Sequence, residues 1–165
     1  MNTTTQVVKD FKAKSILITR EFNAPIDLVW RSFTESEILD QWWGPAPWRA
    51  ETISQDFSVG GYWLYVMIGP ENEKHFGRMN YLAINKPNSF ELEDVFCDEN
   101  GVPNRELPVS SGSNHFTTTP TGTRVEFKMS YATEEQLQQI VEMGFEEGIT
   151  ACLEQLNALI INSKI

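Results

Sequence analysis

The side chains best able to move a proton or hold a polar group lie in the middle of the chain: His75, Arg78, Glu93 and Asp94, with His115 further on. A histidine beside a carboxylate can serve as a general base, and an arginine can orient a polar ligand group. All of these residues fall in strand-like stretches, where successive side chains point to opposite faces, so register decides whether they point inward or carry surface charge. Surface charge is the default. The competing expectation is that His75, Arg78 and Glu93 orient a ligand. Asp56, ahead of "VGG", is read as satisfying loop donors rather than doing chemistry.

No G-x-S-x-G elbow, H-E-x-x-H pair, Walker loop or G-x-G-x-x-G turn occurs, so no nucleophile, metal or cofactor is expected from motifs. Cys97 and Cys152 match no C-x-x-C or Cys/His metal spacing and read as free thiols suited to a reducing cytoplasm. Catalysis is therefore not the first expectation.

Aromatic residues give a stronger signal. "DQWWGPAPW" (40–48) places Trp42, Trp43 and Trp48 among Gly44, Pro45 and Pro47, in a segment that cannot form regular structure. One tryptophan of the Trp42–Trp43 pair is expected to seal the end of a core and the other to gate a cavity mouth. Trp42 is counted among the ligand-contacting candidates. In "YWLYVMI" (62–68), Trp63, Tyr65 and Met67 share one face, and Tyr62, Leu64 and Val66 share the other. Apolar side chains on both faces make the Tyr62–Leu64–Val66 side a candidate contact surface, for example in a homodimer.

These residues need a sheet to position them. "SILITREF" (15–22) reads as a first strand and "IDLVWRSF" as a short amphipathic helix after Pro25. A second short helix follows, with Thr34 and Glu37 resembling a capping box. Strand signals then run through 49–57, 62–68, 75–84 and 89–97. In the last of these, Phe90, Leu92 and Phe96 oppose Glu91, Glu93 and Val95. Residues 98–114 read as a long excursion with some edge strand. "HFTTT-PTG-TRVEFKMSY" reads as a hairpin, with Val125, Phe127, Met129 and Tyr131 on one face. From Thr133 to about Ile161 an apolar stripe predicts one helix of roughly 43 Å, capped by Thr133 and Gln136. Within it Gly144 and Gly148 allow close approach to the sheet or leave room above a cavity. The pattern is α+β: a largely antiparallel sheet covered by one long C-terminal helix.

At 165 residues the chain fits one domain, spanning 15–165 after a polar lead-in at 1–14 that has no apolar signal-peptide core. The Asn2-Thr3-Thr4 sequon carries no weight without a secretory signal. A net charge of −10 argues against phosphate backbones and anionic membranes as partners. No apolar run approaches a membrane span.

The run "ITREFNAPIDLVWRSFTESEILDQWWGP" resembles the N-terminal signature of the AHSA1-like family, named for the activator of Hsp90 ATPase, within the START-like (Bet v 1-like, SRPBCC) superfamily. "DFSVGGYWLYVMIGPENE", "AINKP", "TGTRVEF" and "MGFEEGITACLEQL" extend the resemblance over about residues 15 to 160. It implies a helix-grip fold, a curved sheet wrapped around the C-terminal helix, in a small bacterial cytoplasmic protein. It also implies that Trp63, Tyr65 and Met67 face inward. Met79, Tyr81, Phe90, Leu92, Phe127, Met129, Phe145 and Gly148 would then surround the same cavity. The implied partner is a small hydrophobic or aromatic molecule. The alternatives are a protein-interaction module, with an Hsp90-type chaperone as partner by family analogy alone, and a cyclase or hydrolase acting in the same cavity.

Overall fold

The computed structural model describes residues 4–165; residues 1–3, with most of the sequon and the start of the lead-in, lie outside it. The chain runs β1 (Gln6–Asp10), β2 (Ser15–Phe22), α1 (Ile26–Thr34), α2 (Ser36–Trp42), β3 (Arg49–Asp56), β4 (Tyr62–Ile68), β5 (Lys74–Asn85) and β6 (Ser89–Cys97). It continues through β7 (Ser110–Thr119), β8 (Gly122–Ser130), α3 (Glu134–Glu142) and α4 (Phe145–Ile161). All eight strands form one antiparallel sheet in the order β1-β2-β8-β7-β6-β5-β4-β3. The sheet curves around the C-terminal helices, which is the helix-grip α+β arrangement.

Alternation fixes the inner face. On β8, Val125, Phe127 and Met129 are buried while Arg124 and Lys128 are exposed. Ile16, Ile18 and Phe22 of β2 join them through direct pairing. Helices α1 and α2 fill one half of the concave face. Trp30 meets Phe57, Phe90 and Phe116 edge-on at ring-centroid distances of 6.0, 5.7 and 5.2 Å. Edge-to-face contacts match the positive rim of one ring to the negative face of another, which fixes their geometry as well as burying area.

Four local expectations change. Part of the lead-in is strand β1, mostly exposed and held by its pairing to β2, with Lys9 bonded to Glu146 of α4 at 2.7 Å. Thr34 does not cap α2: it ends α1, and its hydroxyl donates back to the Trp30 carbonyl at 2.9 Å. Strand β7 begins at Ser110, five residues before the expected "HFTTT", and lies between β6 and β8 rather than at an edge. Its Ser- and Gly-rich start pairs because two neighbours supply partners, not because of intrinsic strand propensity.

The fourth change concerns the C-terminal helix, which is two helices. Thr133 caps α3 as expected, its hydroxyl accepting from the Gln136 N–H at 3.1 Å. Gly144 then takes φ +85°, a left-handed conformation open to glycine at little cost, and α4 starts afresh behind it. The 17 residues of α4 span about 26 Å rather than the 43 Å of an unbroken helix. The apolar stripe survives the break because each piece keeps its own buried side: Leu137 and Ile140 on α3, Ile149, Leu153 and Leu156 on α4. The bend lifts the joint away from the sheet.

The convex face of β4 is not a free surface. Leu64 and Val66 are each only 6% exposed, and the 98–109 segment folds back over Leu64. Gly101 packs on Leu64. The Asp98 carboxylate shapes the turn by accepting from the Asn100 and Val102 N–H groups at 2.8 and 2.9 Å. The Asn104 N–H then returns to the Phe96 carbonyl at 2.8 Å. The expected contact surface around Tyr62, Leu64 and Val66 is thus a small second core within the chain. Its lid is the segment that the sequence left without pattern.

Candidate functional site

A half-open cavity of about 480 Å³ lies between the sheet and the α3–α4 joint. Tyr65 and Met67 of β4, Gly77 of β5, Asp94 and Phe96 of β6, and Met129 of β8 form the sheet side. Ile140, Met143, Gly144, Phe145, Gly148, Ile149 and Cys152 form the helix side, so the glycine break is part of the wall. Trp43, Pro45 and Trp48 close one end. A smaller chamber of about 40 Å³ lies deeper, bounded by Trp63, Met79, Phe90, Leu92, Asn114 and Phe127. Trp43, Asp94, Met129, Phe145 and Ile149 border both.

The tryptophan segment divides its labour. Trp42 is fully buried, its indole N–H donates to the Ser32 carbonyl at 2.9 Å, and its ring meets Phe33 at 5.0 Å. It seals the core and does not line the cavity, so the expectation that it touches ligand is corrected in favour of Trp43. The half-buried Trp43 meets Trp42, Trp63 and Tyr65 edge-on at 5.4, 5.5 and 6.2 Å. Trp48 stands at the mouth against His75, 5.3 Å between ring centroids. Gln155 of α4 holds the segment in place: its amide donates to the Trp42 and Gly44 carbonyls, both at 2.9 Å, and accepts from the Ala46 N–H at 2.7 Å. These bonds leave Gln155 half-buried on α4.

Trp63 and Tyr65 are stacked at 4.2 Å, and the Trp63 indole donates to the Thr52 hydroxyl at 2.9 Å. Tyr65 lies against its partner Gly77, where any Cβ would come within 2.6 Å of the phenol ring. Tyr81 lies in the solid core beyond the smaller chamber, where its hydroxyl accepts from the Gln55 amide at 3.2 Å.

The polar candidates separate by parity. His75 stands exposed at the cavity rim. Arg78 is on the convex face: its guanidinium lies 4.5 Å over the Tyr62 ring and donates to Asn80 at 2.8 Å and to the Gly101 carbonyl at 3.3 Å. Glu93 is on the same face, accepting from Asn80 and Arg105 at 3.3 and 3.4 Å. Neither reaches the cavity, so neither can orient a ligand there. Asp94 does reach it. On β6 it shares the face of Phe90 and Leu92 and pairs with Met79 on one side and Ser110 on the other. The Phe90–Leu92–Phe96 alternation already contained this placement, since 94 has the same parity.

The electrostatics of the cavity centre on that carboxyl. Burial raises Asp94 from 3.8 to about 7, with no donor or cation to offset it, although solvent still reaches the group through the cavity. Burial, and then the Asp94 charge, push the Tyr65 phenol well above its usual value. Tyr131 is raised to about 12, mainly by burial, with a hydrogen bond to Ser110 working the other way and Asp94 adding to the rise. Burial raises Cys152 to about 11, leaving the thiol protonated and unreactive at neutral pH. Among the described residues, no group of three His, Cys, Asp or Glu side chains is gathered as a metal site.

The architecture identifies the lineage. The Activator of Hsp90 ATPase homolog 1-like family model matches residues 23–160, most of the chain. The chain belongs to the AHSA1-like family. Solved bacterial structures agree. Protein Ms6760 of Mycobacterium smegmatis is 37% identical, with a TM-score of 0.87 over 94% of this chain and 95% of its own. A protein from Arthrobacter aurescens is 35% identical, with a TM-score of 0.89 over 95% and 91%. One from Staphylococcus epidermidis is 26% identical, with a TM-score of 0.83 over 97% and 95%. No curated protein matches. In this AHSA1-like chain no described helix is long and apolar enough to cross a membrane.

Proposed function

We propose that this AHSA1-like protein binds a small, mainly hydrophobic or aromatic molecule between its sheet and the α3–α4 joint. The observation that carries this reading is the cavity of about 480 Å³, walled by aromatic rings and thioethers. Its size falls in the range of small-molecule sites, about 300–1,000 Å³. Water filling such a space finds few hydrogen-bond partners on rings and methionines, so its displacement by an apolar body is favourable. Trp43, joined to the helices through the segment that Gln155 fixes, supplies a rigid aromatic wall. The protein-docking alternative loses the apolar surface suggested for it, because Leu64 and Val66 are buried and Gly101 packs on Leu64.

The test is native mass spectrometry of gently purified protein, repeated after denaturation, alongside Gly148→Leu. A Cβ at Gly148 would meet only Pro45, at 3.9 Å, so a larger side chain fills the cavity without a clash at its root. The wild type should carry extra mass of a few hundred daltons that unfolding releases, and the variant should fold without it. A wild type that is free of ligand, and that shows no tryptophan-fluorescence response to small aromatic compounds, would refute the reading.

A further inference from the structure

A feature of the cavity wall beyond its apolarity narrows the ligand class. Neither chamber is lined by lysine or arginine, and His75, the basic side chain nearest the opening, is exposed at the rim. Arg78, on the strand paired with β6, is turned to the convex face and engaged with Tyr62, Asn80 and Gly101. Asp94 lies at the boundary between the chambers, and among the described residues no side chain hydrogen-bonds its carboxyl. The titratable groups that sense it from the packed elements are Tyr65, Tyr81, Tyr131 and Cys97, all neutral or weakly acidic. The rings of Trp43, Tyr65, Phe96, Tyr131 and Phe145 line the same cavity.

A carboxylate among aromatic faces and without a cation of its own is an incomplete site. A neutral hydroxyl ligand would give it a hydrogen bond and leave the buried charge uncompensated. An anionic ligand would be repelled by it and by the net charge of −10. A protonated amine supplies both missing terms, a charge-assisted hydrogen bond to the carboxylate and attraction to the ring faces.

We propose that the cavity takes a lipophilic organic cation, an aromatic or alicyclic amine whose ammonium donates to Asp94 and whose body lies against Trp43, Tyr65 and Phe145. This rests on the cavity being a ligand site, and the experiment separates the two claims. Naphthylmethylamine, naphthylmethanol and naphthoate share one ring system and differ in head group. Their affinities are measured by calorimetric titration of wild type and Asp94→Asn. At about pH 8.5 the amine should bind the wild type at least about tenfold more tightly than the alcohol, with naphthoate weakest. Asp94→Asn should bring the amine to the level of the alcohol and leave the alcohol within about twofold. From about pH 6 to about pH 8.5 the amine should gain about tenfold as Asp94 ionises, while the alcohol stays flat. Equal binding of amine and alcohol, or an amine indifferent to Asp94→Asn, overturns the cation inference and leaves the cavity reading standing. Tightest binding by naphthoate does the same. Failure of all three to bind overturns both.

Discussion

Asp94→Asn should make the free protein more stable, and increasingly so as pH rises. In the folded chain the carboxyl ionises near 7, whereas in the unfolded chain it ionises near 3.8. Between these values the native state holds a proton that the unfolded state has lost, so stability falls as pH climbs through that window. Below 3.8 both states are protonated and this contribution vanishes. The full displacement corresponds to at most about 4 kcal/mol against the ionised native state, at about 1.4 kcal/mol per tenfold. Water reaching the carboxyl through the cavity screens part of this, so about 2 kcal/mol is the working figure. Asparagine keeps the shape and hydrogen-bonding capacity and removes the charge. Urea unfolding of both proteins at about pH 5 and about pH 8.5 should show the advantage of asparagine growing by about 1–3 kcal/mol between the two conditions. Taking the difference between variants cancels every other titrating group. An advantage that does not change with pH would refute the argument, because it would mean that Asp94 ionises alike in the folded and unfolded chains.

Gly77→Ala should cost about 1–3 kcal/mol, since its Cβ would come within 2.6 Å of the Tyr65 ring, and should also disturb the Trp63–Tyr65 stack; thermal unfolding and near-UV circular dichroism check this. Gln155→Ala should cost about 2–3 kcal/mol by removing three hydrogen bonds to the tryptophan segment, and should raise amide exchange at Ala46, measured by hydrogen–deuterium exchange. Leu64→Asp should destabilise the single chain by about 3 kcal/mol or more, because it buries an unpaired charge under the 98–109 segment. In contrast, a variant of unchanged stability at Leu64 would mean that the convex face is open.

By itself the sequence determined most of the framework. β-Branched and aromatic alternation placed β2, β4, β6 and β8 nearly to the residue, because a half-buried strand must present every second side chain to the core. The same rule grouped Trp63, Tyr65 and Met67 on one face of their strand and Phe127 and Met129 on one face of theirs, and the AHSA1-like resemblance, legible across the chain, supplied which face is concave. Asp94 was also within reach, since its parity matches Phe90 and Leu92. A carboxylate on an apolar face departs from the usual strand pattern, and such departures gather at sites.

Only the tertiary structure decided the rest. Strand β1 is short and mostly exposed, and the first half of β7 has little strand propensity of its own; both are held by pairing with neighbouring strands. The convex side of β4 is closed by a segment whose covering role depends on where it returns in space. Trp42 and Trp43 are chemically identical neighbours, and the end of α2 between them, Trp42 helical and Trp43 extended, made one a plug and the other a cavity wall. The break at Gly144 leaves no trace in the apolar stripe, since both halves keep their own buried side, and it is this bend that holds the helices off the sheet and leaves the cavity open.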